Sequence, residues 1–224
     1  MSEPRFDTST LDDLIARIEA SEHTVGGVRL VCIDGPAGSG KTTLAADLAA
    51  SLVPTHGDVP VVHGDDLYEG WDVVAGETDV VRAFRRLDAR VVRWLVDPWC
   101  RGRDGGHPVY DWAARAWGPA RSVPASASVV VLEGVGLAGD LLRRHAAVTV
   151  WVDADPAQRR RRVEQRDGAE VATHLDDWDD RERAWYASDG TRSACDVQLT
   201  TTDRSAPRAS VPGHGHPSGA VRHG

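Results

Sequence analysis

Residues 28–44, VRLVCIDGPAGSGKTTL, constrain the fold of this chain more than any other segment. The apolar run at its start predicts a buried strand, and the apolar spacing after Lys41 predicts a helix. The glycine-rich stretch between them matches the pattern G-x-x-x-x-G-K-[ST] at every position. An ordinary glycine-rich turn is the alternative, but the flanking strand and helix are the context that this pattern requires. We therefore predict a loop that binds phosphate through its backbone N–H groups and the helix N-terminus.

The individual positions of this loop have distinct predicted roles. Lys41 is the only lysine in the chain, and we expect it to reach the outer phosphates of a bound nucleotide. The Thr42 hydroxyl is expected to bind Mg²⁺. A compact ammonium group is not interchangeable with the arginines that abound elsewhere. The predicted nucleotide-binding residues are Gly35, Pro36, Ala37, Gly38, Ser39, Gly40, Lys41, Thr42 and Thr43.

Length and composition limit the other possibilities. The chain has 224 residues, which fits one domain with a sizeable core. A net charge of −8 argues against a general nucleic-acid binder. No basic-then-apolar leader and no apolar run of membrane-spanning length is visible, and the three cysteines lack the spacing of a metal site. We expect a cytoplasmic protein with reduced thiols and with no membrane or nucleic-acid partner.

Hydrophobic periodicity and prolines predict the other elements. An amphipathic helix is expected over residues 9–21. Pro54 is expected to end the helix after the loop, and Pro98 to end a helix over residues 79–96. The glycine-, proline- and aromatic-rich residues 99–124 are predicted to be irregular. Further strands are predicted at residues 59–63, 128–132, 146–152 and 196–200, and further helices from residue 156 and over residues 172–187.

This alternation of strands and helices predicts an α/β domain of three layers. We expect a parallel sheet of about five strands, helices on both of its faces and a small lid at about residues 159–175. Residues 1–27 are predicted to form a helix packed on the core, and residues 28–200 the main domain. The non-periodic residues 201–224 are predicted to be a disordered tail.

Carboxylates follow two of the predicted strands. Asp65 and Asp66 come after residues 59–63, and Glu133 ends the apolar run at residues 128–132. Open parallel sheets bind ligands at the carboxyl ends of their strands. Asp65 and Asp66 are therefore candidates for metal binding or proton acceptance, with a helix cap or a solvated turn as an equal alternative. Glu133 is a candidate Mg²⁺ carboxylate, because a carboxylate ending a buried run favours a cationic partner.

Arginines and aromatic residues supply further candidates. Arg159, Arg162 and Arg166 fall on one side of the helix from residue 156, where they could clamp phosphate oxygens. An exposed, ion-paired helix is the alternative. Tyr110 and Trp112 either line a substrate pocket or cap the core, and their position between two sheet strands favours the pocket.

These pieces, in this order, resemble the uridine kinase family (uridine–cytidine kinases) of P-loop small-molecule kinases. IDGPAGSGKTTLA is similar to the opening motif of that family, and GDDLY at residues 64–68 to its Asp-x-Phe-Tyr segment. PVYDW resembles its Pro-x-Tyr-Asp-Phe stretch, and VLEG its Walker B equivalent. VDADPAQRRRRVEQRD resembles the strand–lid segment, and ACDVQL the last strand.

The resemblance implies the three-layer P-loop NTPase fold and transfer of the γ-phosphoryl group of ATP, with Mg²⁺, to a nucleoside-like small molecule. It implies that Asp65 is the catalytic base and helps to hold Mg²⁺, and that Glu133 is the Mg²⁺-associated carboxylate. It also implies that Tyr68 and Tyr110 contact the acceptor. The cations assigned to catalysis are Lys41, Arg159, Arg162 and Arg166.

The chain departs from the family pattern at two positions of the acceptor segment. Where the family has a histidine that contacts the pyrimidine, followed by an arginine, this chain has Arg115 and Trp117. An arginine there suits an anionic acceptor, such as a nucleoside monophosphate. The function that the resemblance predicts is an ATP-dependent kinase that phosphorylates a nucleoside-like acceptor. The alternatives are a kinase of nucleoside monophosphates or other metabolites, and a regulatory ATPase with no metabolite acceptor.

Overall fold

The computed structural model describes residues 6–168, 171 and 173–202. A five-stranded parallel sheet, with strand order β2-β5-β1-β6-β7, forms its centre. The strands β3 and β4 form a separate antiparallel pair. The strands are β1 (Arg29–Asp34), β2 (Val61–His63), β3 (Gly105–Asp111), β4 (Ala116–Val123), β5 (Val129–Glu133), β6 (Ala146–Ala154) and β7 (Val197–Thr201). The predicted α/β fold with about five parallel strands is confirmed.

Helices cover both faces of the central sheet. Two 3₁₀ turns, Gly64–Asp66 and Gly70–Asp72, follow β2, and a π-helical turn, Val92–Val96, joins two of the helices. The helices are α1 (Thr8–Ala20), α2 (Lys41–His56), α3 (Val80–Val91), α4 (Asp97–Trp99), α5 (Asp140–Arg143), α6 (Pro156–Asp167), α7 (Leu175–Asp189) and α8 (Thr191–Ala194).

The apolar side chains of β1 alternate between two hydrophobic cores. Leu30 and Cys32 belong to the first core, which contains residues of α3 and α7. Val31 and Ile33 belong to the second core, on the opposite face, with residues of α1 and α2. All four side chains are buried. Because both faces of the strand are covered, its sequence is a continuous apolar run rather than an alternating one.

The prediction that Pro54 ends its helix was wrong. Helix α2 continues through Pro54 to His56. A proline removes one N–H donor, but the remaining bonds of this last turn form, and the Gly57 N–H donates to the Val53 carbonyl at 2.9 Å. Gly57, with φ of 73°, ends the helix instead.

The prediction that Pro98 ends its helix was also wrong. The chain leaves α3 through the π-helical turn and enters α4, in which Pro98 occupies one of the first positions. The first residues of a helical segment donate no hydrogen bond within that segment. A proline at this position therefore removes none, and the helical path continues to Trp99.

Residues 99–124, predicted to be irregular, contain the antiparallel hairpin of β3 and β4. Tyr110 pairs with Trp117 and Pro108 with Ala120, with an irregularity in register between these pairs. Both strands are edges of a two-stranded ribbon, and prolines are tolerated at sheet edges. The prolines conceal the alternation of a strand in the sequence, which explains why the hairpin was missed.

The ends of the chain are described only in part. Helix α1 packs on the second core through Leu14 and Ile18. Thr201, predicted to begin the tail, is the last residue of β7. The rest of the predicted tail, from residue 203 onwards, and residues 169, 170 and 172 of the predicted lid lie outside the described residues. Among the described helices, none has the length and apolar character needed to cross a membrane.

Asp88 of α3 should make stability depend on pH. The residue is 2% exposed, and its Oδ2 accepts the Leu141 N–H at 3.2 Å, whereas Oδ1 has no hydrogen-bond partner in the described part of the chain. Burial raises the pKa of Asp88 from 3.8 to about 7, and the nearby Asp189 carboxylate acts in the same direction. The stability contributed by this group is therefore fully present below about pH 4 and is lost as pH rises through 7.

We expect the Asp88→Asn variant to be more stable than the original protein, by an amount that grows from pH 4 to 7 and then levels off at about 1–4 kcal/mol. Urea unfolding at several pH values measures the difference. The difference in unfolding free energy between variant and original is the quantity to compare. Buried Asp34 and Glu182 also have raised pKa values, so they make the total stability of both proteins depend on pH. The exposed Asp58→Asn change provides the control. A difference independent of pH would contradict the assignment.

Candidate active site

The loop between β1 and α2 is packed tightly against neighbouring backbone. Gly35 and Gly38 have φ of 143° and 74°, in the region that favours glycine. A Cβ atom on Gly38 would lie 2.3 Å from the Arg159 carbonyl oxygen of α6, and one on Gly35 would lie 2.0 Å from the Val152 carbonyl oxygen of β6. These two glycines therefore allow both the turn and the close contact with β6 and α6.

Lys41 and Thr42 lie at the start of α2 with their functional groups near the loop. Lys41 is 7% exposed, and its Nζ donates to the Pro36 carbonyl at 2.9 Å, so the ammonium lies across the loop. The Thr42 Oγ1 donates to Glu133 Oε1 at 3.2 Å. The loop thus has one buried cation and one hydroxyl beside a carboxylate.

Glu133 and His63 end neighbouring parallel strands. They are paired in register between β5 and β2, and His63 Nδ1 lies 2.7 Å from Glu133 Oε1. Glu133 is 5% exposed. The hydrogen bond to Glu133 raises the pKa of His63. Sequence analysis did not identify His63, although its position at the end of β2, level with Glu133, was the available signal.

These groups fit a magnesium nucleotide. Hydroxyl and carboxylate oxygens are the hard ligands that Mg²⁺ prefers, and it usually keeps waters and phosphate oxygens in its coordination sphere. Only one or two protein ligands are then needed. This agrees with the described residues, among which no three His, Cys, Asp or Glu side chains form a candidate metal cage. Thr42 and Glu133 would hold the ion, and Lys41 and the loop amides would hold phosphate.

Asp65 and Asp66 lie in the 3₁₀ turn directly after β2 but have different surroundings. Asp66 forms an ion pair with Arg121 of β4, with 2.7 Å between Oδ2 and Nη1. Asp65 is exposed to solvent. Desolvation by the surrounding groups and the nearby Glu133 carboxylate raise the pKa of Asp65 above its ordinary value. Of the two aspartates, Asp65 is therefore the one whose carboxylate lies near Glu133.

The predicted acceptor residues Tyr68, Tyr110 and Arg115 lie in three different environments. Tyr68 is buried in the first core, and its hydroxyl donates to the Val135 carbonyl at 2.8 Å. Tyr110 is half-buried on the hairpin, with its ring 5.3 Å from that of Trp117. Arg115 is exposed in the hairpin turn, with φ of 52°. In this arrangement Tyr68 supports the core, and its predicted contact with the acceptor stays a prediction.

The arginines of α6 divide into two groups. Arg159 and Arg162 contact the loop: Arg159 Nη1 lies 3.4 Å from the Ala37 carbonyl oxygen, and Arg162 Nη1 donates to the Gly38 carbonyl at 3.0 Å. Arg166 is paired with Asp167 at 2.7 Å, and the carboxylates of Asp65 and Glu133 also contribute to its raised pKa. Arg159 and Arg162 therefore connect α6 to the backbone of the loop, and Arg166 lies near Asp65 and Glu133. Their predicted role in neutralising phosphate charge stays a prediction.

Asp34, the last residue of β1, was missed by sequence analysis. It is fully buried, and Oδ1 accepts the Gly35 N–H at 2.6 Å, the Gly136 N–H at 2.9 Å and the Tyr186 hydroxyl at 2.7 Å. Oδ2 accepts the Ala138 N–H at 2.8 Å. Asp34 thereby fixes the start of the loop to the turn after β5 and to α7. A carboxylate at the end of an apolar strand was the signal in the sequence.

Glu182 of α7 was also missed. It is 3% exposed, and its Oε1 accepts the Ala37 N–H at 2.8 Å. Burial raises the pKa of Glu182 to about 7. The residue belongs to an acidic stretch that is typical of a solvated helix face, so the sequence contained no clear signal for its contact with the loop.

Together the parallel sheet and the loop after β1 define a P-loop nucleotide-binding fold, as the sequence predicted. The family described as AAA domain matches residues 31–184, and the chain belongs to this family. No curated protein sequence matches the chain.

Two of the solved structures that match this chain illustrate its fold. A possible uridine kinase from Bacillus stearothermophilus has a TM-score of 0.61 and 20% identity, over 85% of this chain and 97% of that chain. A putative fructose transport system kinase from Silicibacter sp. TM1040 has a TM-score of 0.56 and 21% identity, over the same shares of the two chains. At these identities the likeness establishes the fold and leaves the substrate to be argued from the site.

Arg162 should contribute to nucleotide affinity by holding the loop. Its Nη1 also donates to Thr201 Oγ1 at 2.9 Å, and that hydroxyl donates to the Ser39 carbonyl at 2.7 Å. Replacing Arg162 with alanine removes a donor from partly buried loop carbonyl groups, which leaves the loop less ordered. We expect Arg162→Ala to weaken binding of Mg·ADP about tenfold, as measured by titration calorimetry.

The matched control is Arg160→Ala on the same helix. Arg160 is paired with Glu164 and Asp176 on the outside of α6. Its replacement removes the same charge but none of the hydrogen bonds to the loop among the described residues, so affinity should stay within about twofold of the original. Equal losses in the two variants would mean that Arg162 acts through long-range charge and not through the loop.

Proposed function

We propose that this protein is an ATP-dependent kinase that transfers the γ-phosphoryl group to a hydroxyl of a nucleoside-like small molecule. The observation that carries the proposal is the arrangement of Glu133 and Asp65 at the ends of neighbouring parallel strands, next to the loop after β1. One carboxylate beside Thr42 suits Mg²⁺. A second carboxylate next to it, that of Asp65, suits acceptance of a proton from an attacking hydroxyl.

On the donor side, the chain positions phosphate and stabilises its charge. Lys41 and the loop N–H groups hold the β- and γ-phosphates, and Thr42 and Glu133 orient the metal. Bound Mg²⁺ would neutralise charge that develops on the phosphate oxygens. His63 keeps the Glu133 carboxylate oriented through their 2.7 Å contact. Catalysis by these residues is mainly positioning and electrostatic stabilisation.

On the acceptor side, Asp65 accepts the proton of the attacking hydroxyl. The hairpin supports this position, because the Trp112 Nε1–H donates to the Asp65 backbone carbonyl at 2.9 Å. Tyr110 lies next to Trp112, with ring centroids 5.9 Å apart, and offers a surface for a base or a sugar. Desolvation and the Glu133 charge raise the pKa of Asp65, and the nearby Arg166 partly offsets this rise, which favours the carboxylate form that proton acceptance requires.

Arg115 favours a second candidate, a kinase of nucleoside monophosphates. Its guanidinium has no hydrogen-bond or ion-pair partner in the described residues and is exposed in the hairpin turn. An exposed guanidinium whose donors are available is suited to bidentate recognition of phosphate. An ionised phosphate acceptor needs no general base, so Asp65 would then act mainly through Mg²⁺.

A panel of acceptors, assayed by ADP release from Mg·ATP, tests the proposal. The panel contains nucleosides, nucleoside monophosphates, pantothenate and sugars. We expect a nucleoside to accelerate ADP release at least about tenfold over the rate with ATP alone. Acceleration by monophosphates alone would favour the second candidate. Slow ADP release that no acceptor accelerates would contradict both candidates.

A further inference from the structure

Glu182 lies between the phosphate loop and the aromatic residues near Asp65. Its Oε1 accepts two hydrogen bonds, from the Ala37 N–H at 2.8 Å and from the Trp178 Nε1–H at 2.6 Å. Its Oε2 lies 3.7 Å from Arg159 Nη1. One buried oxygen atom therefore joins the backbone of the loop to an aromatic side chain of α7.

Contacts continue from Trp178 to Asp65 through other aromatic rings. The Trp71 ring lies 5.7 Å from that of Trp178, is stacked on His174 at 4.8 Å and meets Trp112 edge-on at 5.4 Å. Trp112 in turn donates to the Asp65 carbonyl at 2.9 Å. We call Trp71, Trp112, His174 and Trp178 the aromatic wall. It connects the loop, through Glu182, with the position of the proposed catalytic base.

The charges around Glu182 allow it to stay in place when phosphate enters the loop. Lys41 of α2 and Arg159 of α6 attract its carboxylate, and Asp179 of its own helix opposes them. With a pKa of about 7, Glu182 can take up a proton when a phosphate competes for these cations. The neutral acid still has Oε1 as an acceptor, so neither hydrogen bond needs to break.

We propose that Glu182 is a positioning residue that holds the phosphate loop and the aromatic wall together, so that nucleotide in the loop orders the wall beside Asp65. Because coupling between two sites is reciprocal, a ligand held against the wall strengthens nucleotide binding by the same factor. This inference rests on the proposed function only in that the loop binds a nucleotide and the wall borders the acceptor.

Hydrogen exchange with and without Mg·ADP tests the connection in the full chain. Mg·ADP should slow amide exchange in residues 70–75 and 110–118 by about fivefold or more. Glu182→Ala removes the shared acceptor, and the ratio of exchange rates with and without nucleotide should fall to about one in these segments. Glu182→Gln keeps an oxygen acceptor for both N–H groups and should retain most of the effect. Asp180→Asn, an exposed change on the same helix, should behave as the original protein does.

A second variant keeps the test valid if Glu182→Ala does not fold. Trp178→Phe retains an aromatic ring but lacks the indole N–H that binds Glu182. It should bind Mg·ADP with nearly unchanged affinity, because the bond between Ala37 and Glu182 remains, and should lose the slowing of exchange in the wall. A residue that merely stabilises the fold would change exchange equally with and without nucleotide and leave the ratio unaltered.

The possible outcomes distinguish failure of the proposed function from failure of the inference about Glu182. Failure of the original protein to bind Mg·ADP would contradict the proposed function itself. If Mg·ADP binds without slowing exchange in the wall, the inference about Glu182 is wrong and the proposed function stands. The same holds if the slowing is equal in the original protein and in Glu182→Ala.

Discussion

Replacing Lys41 with alanine is expected to lower kcat/KM for phosphotransfer by about a hundredfold to a thousandfold, equivalent to about 3–4 kcal/mol. The Nζ atom lies at the loop, 2.9 Å from the Pro36 carbonyl oxygen, and Lys41 is 7% exposed. A charge in such a partly desolvated site interacts with phosphate more strongly than a surface charge would. Steady-state kinetics with the acceptor found in the panel measure the loss.

A Lys41→Arg variant tests whether charge alone is sufficient. A guanidinium is larger and planar and presents its donors in a different geometry from a compact ammonium, so we expect at least a tenfold loss although the charge is kept. Thermal unfolding without nucleotide checks that both variants fold. A Lys41→Ala protein with kcat/KM within about threefold of the original would show that the loop does not carry the donor phosphates.

Replacing Asp65 with asparagine is expected to lower acceptor-dependent turnover by about a hundredfold to ten-thousandfold, because the amide cannot accept the proton of the hydroxyl. Mg·ADP affinity should change much less, since Thr42 and Glu133 remain. The raised pKa of Asp65 adds a pH dependence. The base form is lost as pH falls, and the loss should occur at a higher pH than for an ordinary aspartate. Initial rates over a pH series measure both effects.

Asp66→Asn is the matched control for the Asp65 variant. It makes the same chemical change at the next residue, where the carboxylate is paired with Arg121. Turnover should stay within about threefold of the original, because this ion pair is partly exposed. Full turnover of a nucleoside by Asp65→Asn would contradict the assignment of the base. A small loss with a monophosphate acceptor would instead support the second candidate.

The parts of the fold and the site that follow local rules were predictable from the sequence. The loop from Gly35 to Thr42 depends on a fixed spacing between a strand and a helix, and that spacing is visible in the chain. The position of Glu133 was predictable because the ends of buried parallel strands meet at one edge of the sheet. In both cases the position is determined by residues close together in sequence or by a general property of the sheet.

The features that were missed depend on contacts between distant segments. The acidic composition of α7 predicts exposure, and only the packing of α7 on the loop shows that Glu182 faces inwards. The spacing of Arg159 and Arg162 placed them on one side of a helix but could not show that this side contacts loop carbonyl groups. The hairpin of β3 and β4 was hidden by Pro108 and Pro119, which interrupt the alternation expected of strands.

The position of the single lysine also provides a chemical label at the active site. Lys41 carries the only side-chain amine of the chain, and this amine lies across the loop and is largely buried. An amine-selective acylating reagent therefore has one side-chain target, besides the terminal amine. A nucleotide that occupies the loop should shield this target, so the extent of acylation, measured by mass spectrometry, reports occupancy of the donor site in the unmodified sequence.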